Sequence, residues 1–152
     1  MKLRQWLNAL RILLFGDIKG RYEGPQESIK TIGKQGEIIA LHYLQRLGWR
    51  LIDMNIRIGR DELDILVVSP DERTLAIVEV RTTADYSKFP ERTINARKRA
   101  RMLRMAKKLQ SFAKKHRCIL RVDVIAVTLS FPDPCIRHYE GVFPIPRPRF
   151  VA

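Results

Sequence analysis

Two short stretches, DELDIL at 61–66 and IVEVR at 77–81, place acidic residues within or beside apolar runs. Glu79 stands between two valines, where an uncompensated carboxylate is costly to remove from water. Hard carboxylate oxygens that converge on one point, with room for water and phosphate, are what a magnesium-dependent phosphodiesterase requires. A bound cation is one explanation of these carboxylates. The other is structural, as a pair of edge-strand charges or a buried salt bridge to Arg81.

The pairing of two predicted strands decides whether the carboxylates meet. If PDER at 70–73 is a four-residue hairpin loop, Ser69 pairs with Thr74, and counting back along both strands sets Asp64 opposite Glu79. Like charges that are directly opposed in a sheet are destabilising. The pair therefore needs a cation, and a slip of one residue would send one carboxylate to the other face.

The same count gives roles to the remaining charged residues of the two stretches. Glu62 falls opposite Arg81, which is a favourable pair and brings a positive charge beside the carboxylates. Asp61 is assigned to the turn before the strand. Glu37 lies on the apolar face of a predicted helix, so it either reaches Asp64 and Glu79 as a third acidic group or lies in solvent in the first turn.

The rest of the chain supplies elements that can hold these strands. Apolar spacing predicts a helix over 34–47 with Gly48 as its cap, and a second helix over 93–115. Three strands joined by short turns lie between them, and CILRVDVIAVTL and CIRHYEGV are a fourth and a short fifth strand. This order predicts an α/β domain with a mixed sheet of about four to five strands and flanking helices.

Positive charge is concentrated on the second helix. The chain has 29 Lys and Arg against 16 Asp and Glu, for a formal net charge of +13, and residues 91–121 hold twelve of the basic residues and one acidic residue. Such an imbalance favours a polyanionic partner, with nucleic acid preferred to an anionic membrane surface. The residues predicted to contact phosphates follow helical spacing along one face, except Lys98: Arg97, Lys98, Arg101, Arg104, Lys108 and Lys115.

The termini are expected to be accessory. Residues 1–27 are predicted as a short amphipathic helix and a loop, residues 28–143 as the domain, and residues 144–152 as an irregular proline-rich tail. The N-terminal apolar run is too short for a signal peptide or a transmembrane span, so its helix is assigned to packing or local disorder in preference to membrane contact. Two plain cysteines, Cys118 and Cys135, fit a reducing cytoplasm.

Taken together, the motifs resemble the YraN family of small bacterial proteins, which share the restriction-endonuclease-like fold with Holliday junction resolvases. The resemblance rests on GEIIALHYLQRLGWRLIDMNIR, DELDIL, IVEVR, INARKRARMLRMAKKLQ and LRVDVIAV, in the family's order over roughly 36–127. It implies a PD-(D/E)xK site made of Glu37, Asp64 and Glu79, with Arg81 where the family pattern of the fold has lysine. It also implies that Asp64, Glu79 and the backbone carbonyl of Val80 bind Mg²⁺ or Mn²⁺.

The implied function is metal-dependent endonucleolytic cleavage, with DNA favoured over RNA and branched or structured DNA included. Arginine stays cationic and holds phosphate, but it cannot act as a general base. Arg81 therefore keeps a second prediction open, a nucleic-acid-binding protein that has lost turnover, while Lys98 either replaces the lysine or contacts phosphate. A third prediction is a peripheral membrane protein held by the N-terminal helix and the basic face. No pattern requires a small-molecule cofactor.

Overall fold

A computed structural model describes residues 32–130 and 132–145, and these form one five-stranded sheet with helices on both faces. In chain order the elements are α1 (Ile32–Arg46), β1 (Arg50–Ile58), β2 (Asp61–Val68), β3 (Thr74–Thr83), a 3-10 helix (Pro90–Thr93), α2 (Ala96–Lys115), β4 (Ile119–Thr128) and β5 (Cys135–Tyr139). The predicted N-terminal helix and most of the proline-rich tail lie outside these residues.

The sheet is mixed, and its strands lie in the order β1-β2-β3-β4-β5. The first three strands form an antiparallel meander, β4 runs parallel to β3, and β5 pairs antiparallel with β4 at the edge. A parallel neighbour needs a crossover connection, which α2 provides between β3 and β4. The predicted α/β class, the meander and the short fifth strand are confirmed.

Local signals explain where the helices end. Gly48 takes φ +84°, and the Trp49 N–H donates to the Leu44 carbonyl across it, so the predicted glycine cap is confirmed. The start of the second helix was predicted wrongly, at residue 93. Asn95 is extended and its side chain accepts the Lys98 N–H at 3.0 Å, so α2 begins at Ala96, after the separate 3-10 turn.

Apolar side chains cover both faces of the sheet. The cluster facing α1 contains two fully buried residues of that helix, Ala40 and Leu44, together with alternate residues of the central strands. The cluster facing α2 contains Met105, Leu109 and Phe112 and the other set of strand residues. Because both faces are covered, any charged group within the central strands is taken out of water and needs a partner.

The predicted hairpin between β2 and β3 is confirmed, and its ladder is short. The Ser69 N–H donates to the Thr74 carbonyl at 2.9 Å, and paired residues run from Val68 with Leu75 as far as Ile65 with Val78. The ladder stops there, one residue before the two carboxylates of interest. Leu63 then packs in the cluster facing α2, although strict alternation assigns it to the other face. The break in pairing therefore falls at Asp64.

Helix α1 crosses β3 closely at Gly36. A Cβ at this position would lie 1.8 Å from Thr82 Oγ1 and 2.7 Å from Thr82 Cβ, which is far inside van der Waals contact. Rotation of the threonine side chain can move its hydroxyl but leaves its Cβ in place. The glycine is therefore what allows the first helix to approach the strand that carries Glu79.

We expect Gly36→Ala to lower the free energy of unfolding by about 2–3 kcal/mol, because the added methyl group forces α1 away from β3. Urea unfolding followed by circular dichroism measures the change. Gly33→Ala is the matched control, since Gly33 is an exposed position of the same helix and alanine favours helix there. Equal stability of the two variants would show that α1 yields without cost.

No helix in the described part of the chain is long and apolar enough to cross a membrane.

Candidate active site

Asp64 lies where β2 and β3 separate. Its Oδ2 accepts the backbone N–H of Val80 at 2.8 Å. A side-chain hydrogen bond therefore joins the two strands just beyond the last paired step of the ladder. Burial, followed by the negative charge of Glu79, raises the pKa of Asp64 to about 7. The two carboxylates are therefore close enough to repel each other, as the sequence predicted, although they are not a paired step of the ladder.

Glu79 is only 3% exposed, and its partner is an arginine that the sequence assigned to phosphate. Arg101 of α2 places Nη2 at 2.6 Å from both carboxylate oxygens of Glu79. Arg81, the residue at the expected lysine position, is 4.0 Å from the same carboxylate. The positive charge that compensates Glu79 thus comes mainly from the second helix.

Arg81 is held by the segment that precedes α2. Its Nε and Nη2 donate to Thr93 Oγ1 at 2.8 and 2.6 Å, and the threonine hydroxyl donates to the Pro90 carbonyl. The predicted pairing of Arg81 with Glu62 is not seen, because the ladder ends before it. Glu62 lies beside Arg57 of β1 instead, at 3.6 Å.

Two further predicted residues approach the carboxylates. Glu37 is half-buried, its side chain hydrogen-bonds to Asn55, and burial raises its pKa with a smaller contribution from Glu62 and Glu79. Lys98 is half-buried as well, and burial and the charge of Arg81 lower its pKa. Glu37 and Lys98 therefore interact electrostatically with the site, Glu37 with Glu79 and Lys98 with Glu79 and Asp64.

Asp61 was assigned wrongly to the turn. It is the first residue of β2, paired with Ile58 across a two-residue hairpin in which Gly59 has φ +61°. Asp61 is 4% exposed and receives Arg104 through two nitrogens, at 2.9 and 2.5 Å, and Lys108 at 3.6 Å. The side-chain hydrogen bond from Arg104 lowers the pKa of Asp61 to about 2.

The basic face of α2 is accordingly divided. Arg101 and Arg104 turn toward the sheet and form ion pairs with buried carboxylates. Arg97 and Lys115 are exposed, and Lys108 is 40% exposed even though it reaches Asp61. The sequence placed these residues on one helix face correctly, but it did not show that part of the face borders the sheet.

The donor set at Asp64 and Glu79 fits a hard divalent cation. Two carboxylates and the carbonyl of Val80 offer oxygen ligands, and the raised pKa of Asp64 shows a carboxylate whose negative charge lacks full compensation. Arg101 already takes both oxygens of Glu79, so a cation at this point competes with a guanidinium group.

A second charged cluster lies at β4 and the edge strand β5. Among the described residues, Asp123, His138 and Glu140 are the one group whose three ligand-type atoms lie within 4.8 Å of one another, so Glu37, Asp64 and Glu79 do not meet as closely. Arg121 donates to both oxygens of Asp123 at 2.8 Å and to Glu140 at 3.1 Å. A positive group therefore already fills that cluster, which joins β5 to β4.

One important residue, Asp123, and one important contact, that of Arg101 with Glu79, were missed from the sequence, for different reasons. Asp123 stands in RVDVIAV, the same signal of a carboxylate in an apolar run that identified Glu79, and could have been found. The partnership of Arg101 with Glu79 has no local signal, because 22 residues separate them and only the crossover brings them together.

The structure defines an α/β protein in which α1, an antiparallel β1–β3 meander, α2 and a parallel β4 follow one another, and α1, β2 and β3 carry acidic residues. The chain belongs to the uncharacterised protein family UPF0102, whose model matches residues 36–127. This confirms the resemblance to the YraN proteins, which are members of that family.

Individual relatives carry the same family name. A UPF0102 protein of Syntrophotalea carbinolica is 35% identical over 116 residues, covering 76% of this chain and 93% of its own length. One from Porphyromonas gingivalis is 38% identical over 118 residues, covering 74% and 84%. Among solved structures, a repair endonuclease from Pyrococcus abyssi matches 72% of this chain and 42% of its own, with 16% identity and a TM-score of 0.36.

Proposed function

We propose that the protein is a metal-dependent endonuclease that hydrolyses phosphodiester bonds in nucleic acid, with DNA favoured over RNA. The observation that carries the proposal is the approach of two carboxylates, the half-buried Asp64 and the buried Glu79, where β2 and β3 separate. Bringing two like charges together away from water is costly for folding, and a divalent cation between them would offset that cost and attract a polyanion.

Asp64, Glu79 and the Val80 carbonyl are the groups that would hold Mg²⁺ or Mn²⁺. When bound, such an ion supplies a water of lowered pKa and offsets the charge that develops on phosphate. Arg81 is tied to Thr93, so its guanidinium is pre-organised beside the carboxylates and can hold a phosphate there. Lys98 interacts electrostatically with Arg81, Glu79 and Asp64, and it can stand in for the lysine that Arg81 replaces.

The exposed residues of α2 supply contacts that position the substrate. Arg97, Lys108 and Lys115 are exposed and follow the helical spacing of Arg101, which contacts Glu79. Contacts of this kind go to the phosphate backbone and carry no sequence information. We therefore infer a nuclease that selects its substrate by shape, which includes branched DNA.

Cleavage assays test the proposed activity. With Mg²⁺ or Mn²⁺, wild-type protein is expected to cleave duplex or branched DNA, and Asp64→Ala and Glu79→Ala to lose about a thousandfold or more in rate. Glu62→Gln is the matched control, since it changes an acidic residue of the same strand that pairs with Arg57. Activity that survives both alanine variants would belong to another site or another protein.

The position of Arg101 favours a second candidate function, which is nucleic-acid binding without cleavage. A guanidinium that covers both oxygens of Glu79 neutralises the site without a metal. In that case the wild-type protein binds DNA with a steep dependence on salt and cleaves none of it, and divalent cations do not raise its melting temperature.

A further inference from the structure

Arg101 and Arg104 are one helical turn apart, and their ion pairs differ in geometry. Arg104 meets Asp61 with two nitrogens, Nε at 2.9 Å and Nη2 at 2.5 Å, one to each carboxylate oxygen. Arg101 meets Glu79 with Nη2 alone, which lies 2.6 Å from both oxygens. The first is the forked pair typical of a stable structural contact, and the second uses a single donor nitrogen.

The remaining donors of Arg101 are incompletely used. Its Nε is buried and has no hydrogen-bond partner among residues 32–130 and 132–145. A buried donor without an acceptor is unfavourable. In its present position Arg101 therefore neutralises Glu79 through Nη2, but its Nε makes no hydrogen bond to the described residues. A phosphate group offers acceptors to Nε and Nη2 together, which Glu79 does not.

We propose that Arg101 is a mobile counter-ion, which neutralises Glu79 when no metal is bound and transfers to a substrate phosphate when metal binds. This role rests on the proposed metal-dependent function. A guanidinium and a divalent cation compete for the same two oxygens of Glu79, so each metal-binding event releases Arg101. The side chain is 25% exposed, and Arg97 precedes it on the same helix face, so the released group joins a phosphate-binding surface.

Such an exchange couples the two ligands. Nucleic acid that draws Arg101 away from Glu79 makes metal binding more favourable, and metal that displaces Arg101 makes nucleic-acid binding more favourable by the same factor. The protein therefore holds metal weakly without substrate. Arg101 is a positioning residue, and its effect is measured as a change in metal affinity, separately from cleavage.

Isothermal titration calorimetry of the full-length protein with Ca²⁺, which takes the same hard oxygen ligands, tests the exchange. Without nucleic acid, Arg101→Ala is expected to bind Ca²⁺ about tenfold tighter than wild type, because the competing cation is gone. A short DNA duplex, checked afterwards for integrity, should tighten Ca²⁺ binding by wild type about tenfold and by the variant much less.

Arg104→Ala is the matched control, because it removes an equal charge and a similar ion pair one turn away and is expected to bind Ca²⁺ as wild type does. If Arg101→Ala does not fold, Arg101→Gln replaces it, since a neutral amide can still donate to Glu79. Tighter binding by both arginine variants alike would reveal a general charge effect and overturn the proposal. Equal Ca²⁺ binding by Arg101→Ala and wild type would overturn the Arg101 role but not the metal site. Absence of Ca²⁺ binding in every protein, with DNA present, would overturn both.

Discussion

Replacing Asp64 with Asn is expected to stabilise the metal-free protein by about 1–2 kcal/mol at pH 8 and to remove the proposed nuclease activity. The amide oxygen can still accept the Val80 N–H, so the contact that closes the end of the ladder is kept. The substitution removes the negative charge of the half-buried Asp64 carboxylate, which lies beside Glu79. Asp64 is therefore needed for the proposed chemistry, yet its replacement is expected to raise the free energy of unfolding.

The pH dependence of this gain follows from the pKa of Asp64, which is about 7 in the folded protein and near 4 in an unfolded chain. Between these values the folded state binds more protons, so the wild-type protein loses stability as pH rises, whereas the amide of the Asp64→Asn variant has no proton to lose. The advantage of Asp64→Asn is expected to grow from about pH 4 to pH 7 and then to level off. Urea unfolding across that range measures it.

Mn²⁺ provides the internal control for this variant. Metal that binds the folded site raises the melting temperature of the wild-type protein at pH 8 and leaves Asp64→Asn nearly unchanged. A variant that is less stable than wild type at pH 8 in the absence of metal would show that the Asp64 carboxylate is a structural group. Glu62→Gln alters a partly exposed acid on the same strand. It should change the free energy of unfolding by no more than about 0.5 kcal/mol and leave the Mn²⁺-induced rise in melting temperature unchanged.

The sequence predicted the fold because its local signals agree with one another. Helical spacing, the Gly48 cap and the Ser69 to Thr74 hairpin each depend on neighbouring residues, and all appear in the structure. The order of elements then leaves few ways to arrange a mixed sheet. The start of α2 was misplaced because apolar periodicity extends back to residue 93. The Asn95 side chain caps the helix, and this hydrogen bond sets the start at Ala96.

The partners of the charged residues could not be predicted in the same way. A register count makes Asp64 and Glu79 a paired step only if the ladder continues, and the structure shows that it ends one step earlier, with the two carboxylates still close. Helical spacing shows that Arg101 and Arg104 share a face, but not that this face borders strands β2 and β3, where Asp61 and Glu79 lie. Arg101 and Arg104 were predicted to contact phosphates. They instead neutralise buried carboxylates, because the crossover connection brings α2 against β2 and β3.

This division of the basic face changes how the charge of the protein is understood. Arg101 and Arg104 compensate buried acids, so their contribution to an external field is reduced, and Arg97 and Lys115 remain exposed for a polyanion. The salt dependence of DNA binding should reflect the exposed residues first. If Arg101 moves to phosphate on metal binding, that dependence becomes steeper in the presence of Ca²⁺.

Asp123→Ala is expected to have the largest effect on stability, a loss of about 3–5 kcal/mol in the free energy of unfolding. Asp123 is fully buried and accepts hydrogen bonds from Arg121 at 2.8 Å, from the ring Nε2 of His138 at 2.9 Å and from the Gly141 N–H at 3.0 Å. Its removal leaves these groups without their acceptor, and two of them belong to β5 and the segment that follows it. Loss of β5 from the edge of the sheet should make residues 135–145 sensitive to protease.

Glu140→Ala separates this structural role from metal binding. The Glu140 side chain is 58% exposed and pairs with Arg121 at 3.1 Å, so its loss should cost less than about 1 kcal/mol. Burial alone would raise the pKa of Asp123, but hydrogen bonds from His138 and Arg121 outweigh it and lower the pKa, so the stability that Asp123 supplies is present above about pH 4 and is lost in acid. If Asp123, His138 and Glu140 formed a metal centre, Glu140→Ala would abolish the stabilisation by Mn²⁺. We expect that stabilisation to survive Glu140→Ala and to disappear with Glu79→Ala, because the cation of the Asp123 cluster is Arg121 itself.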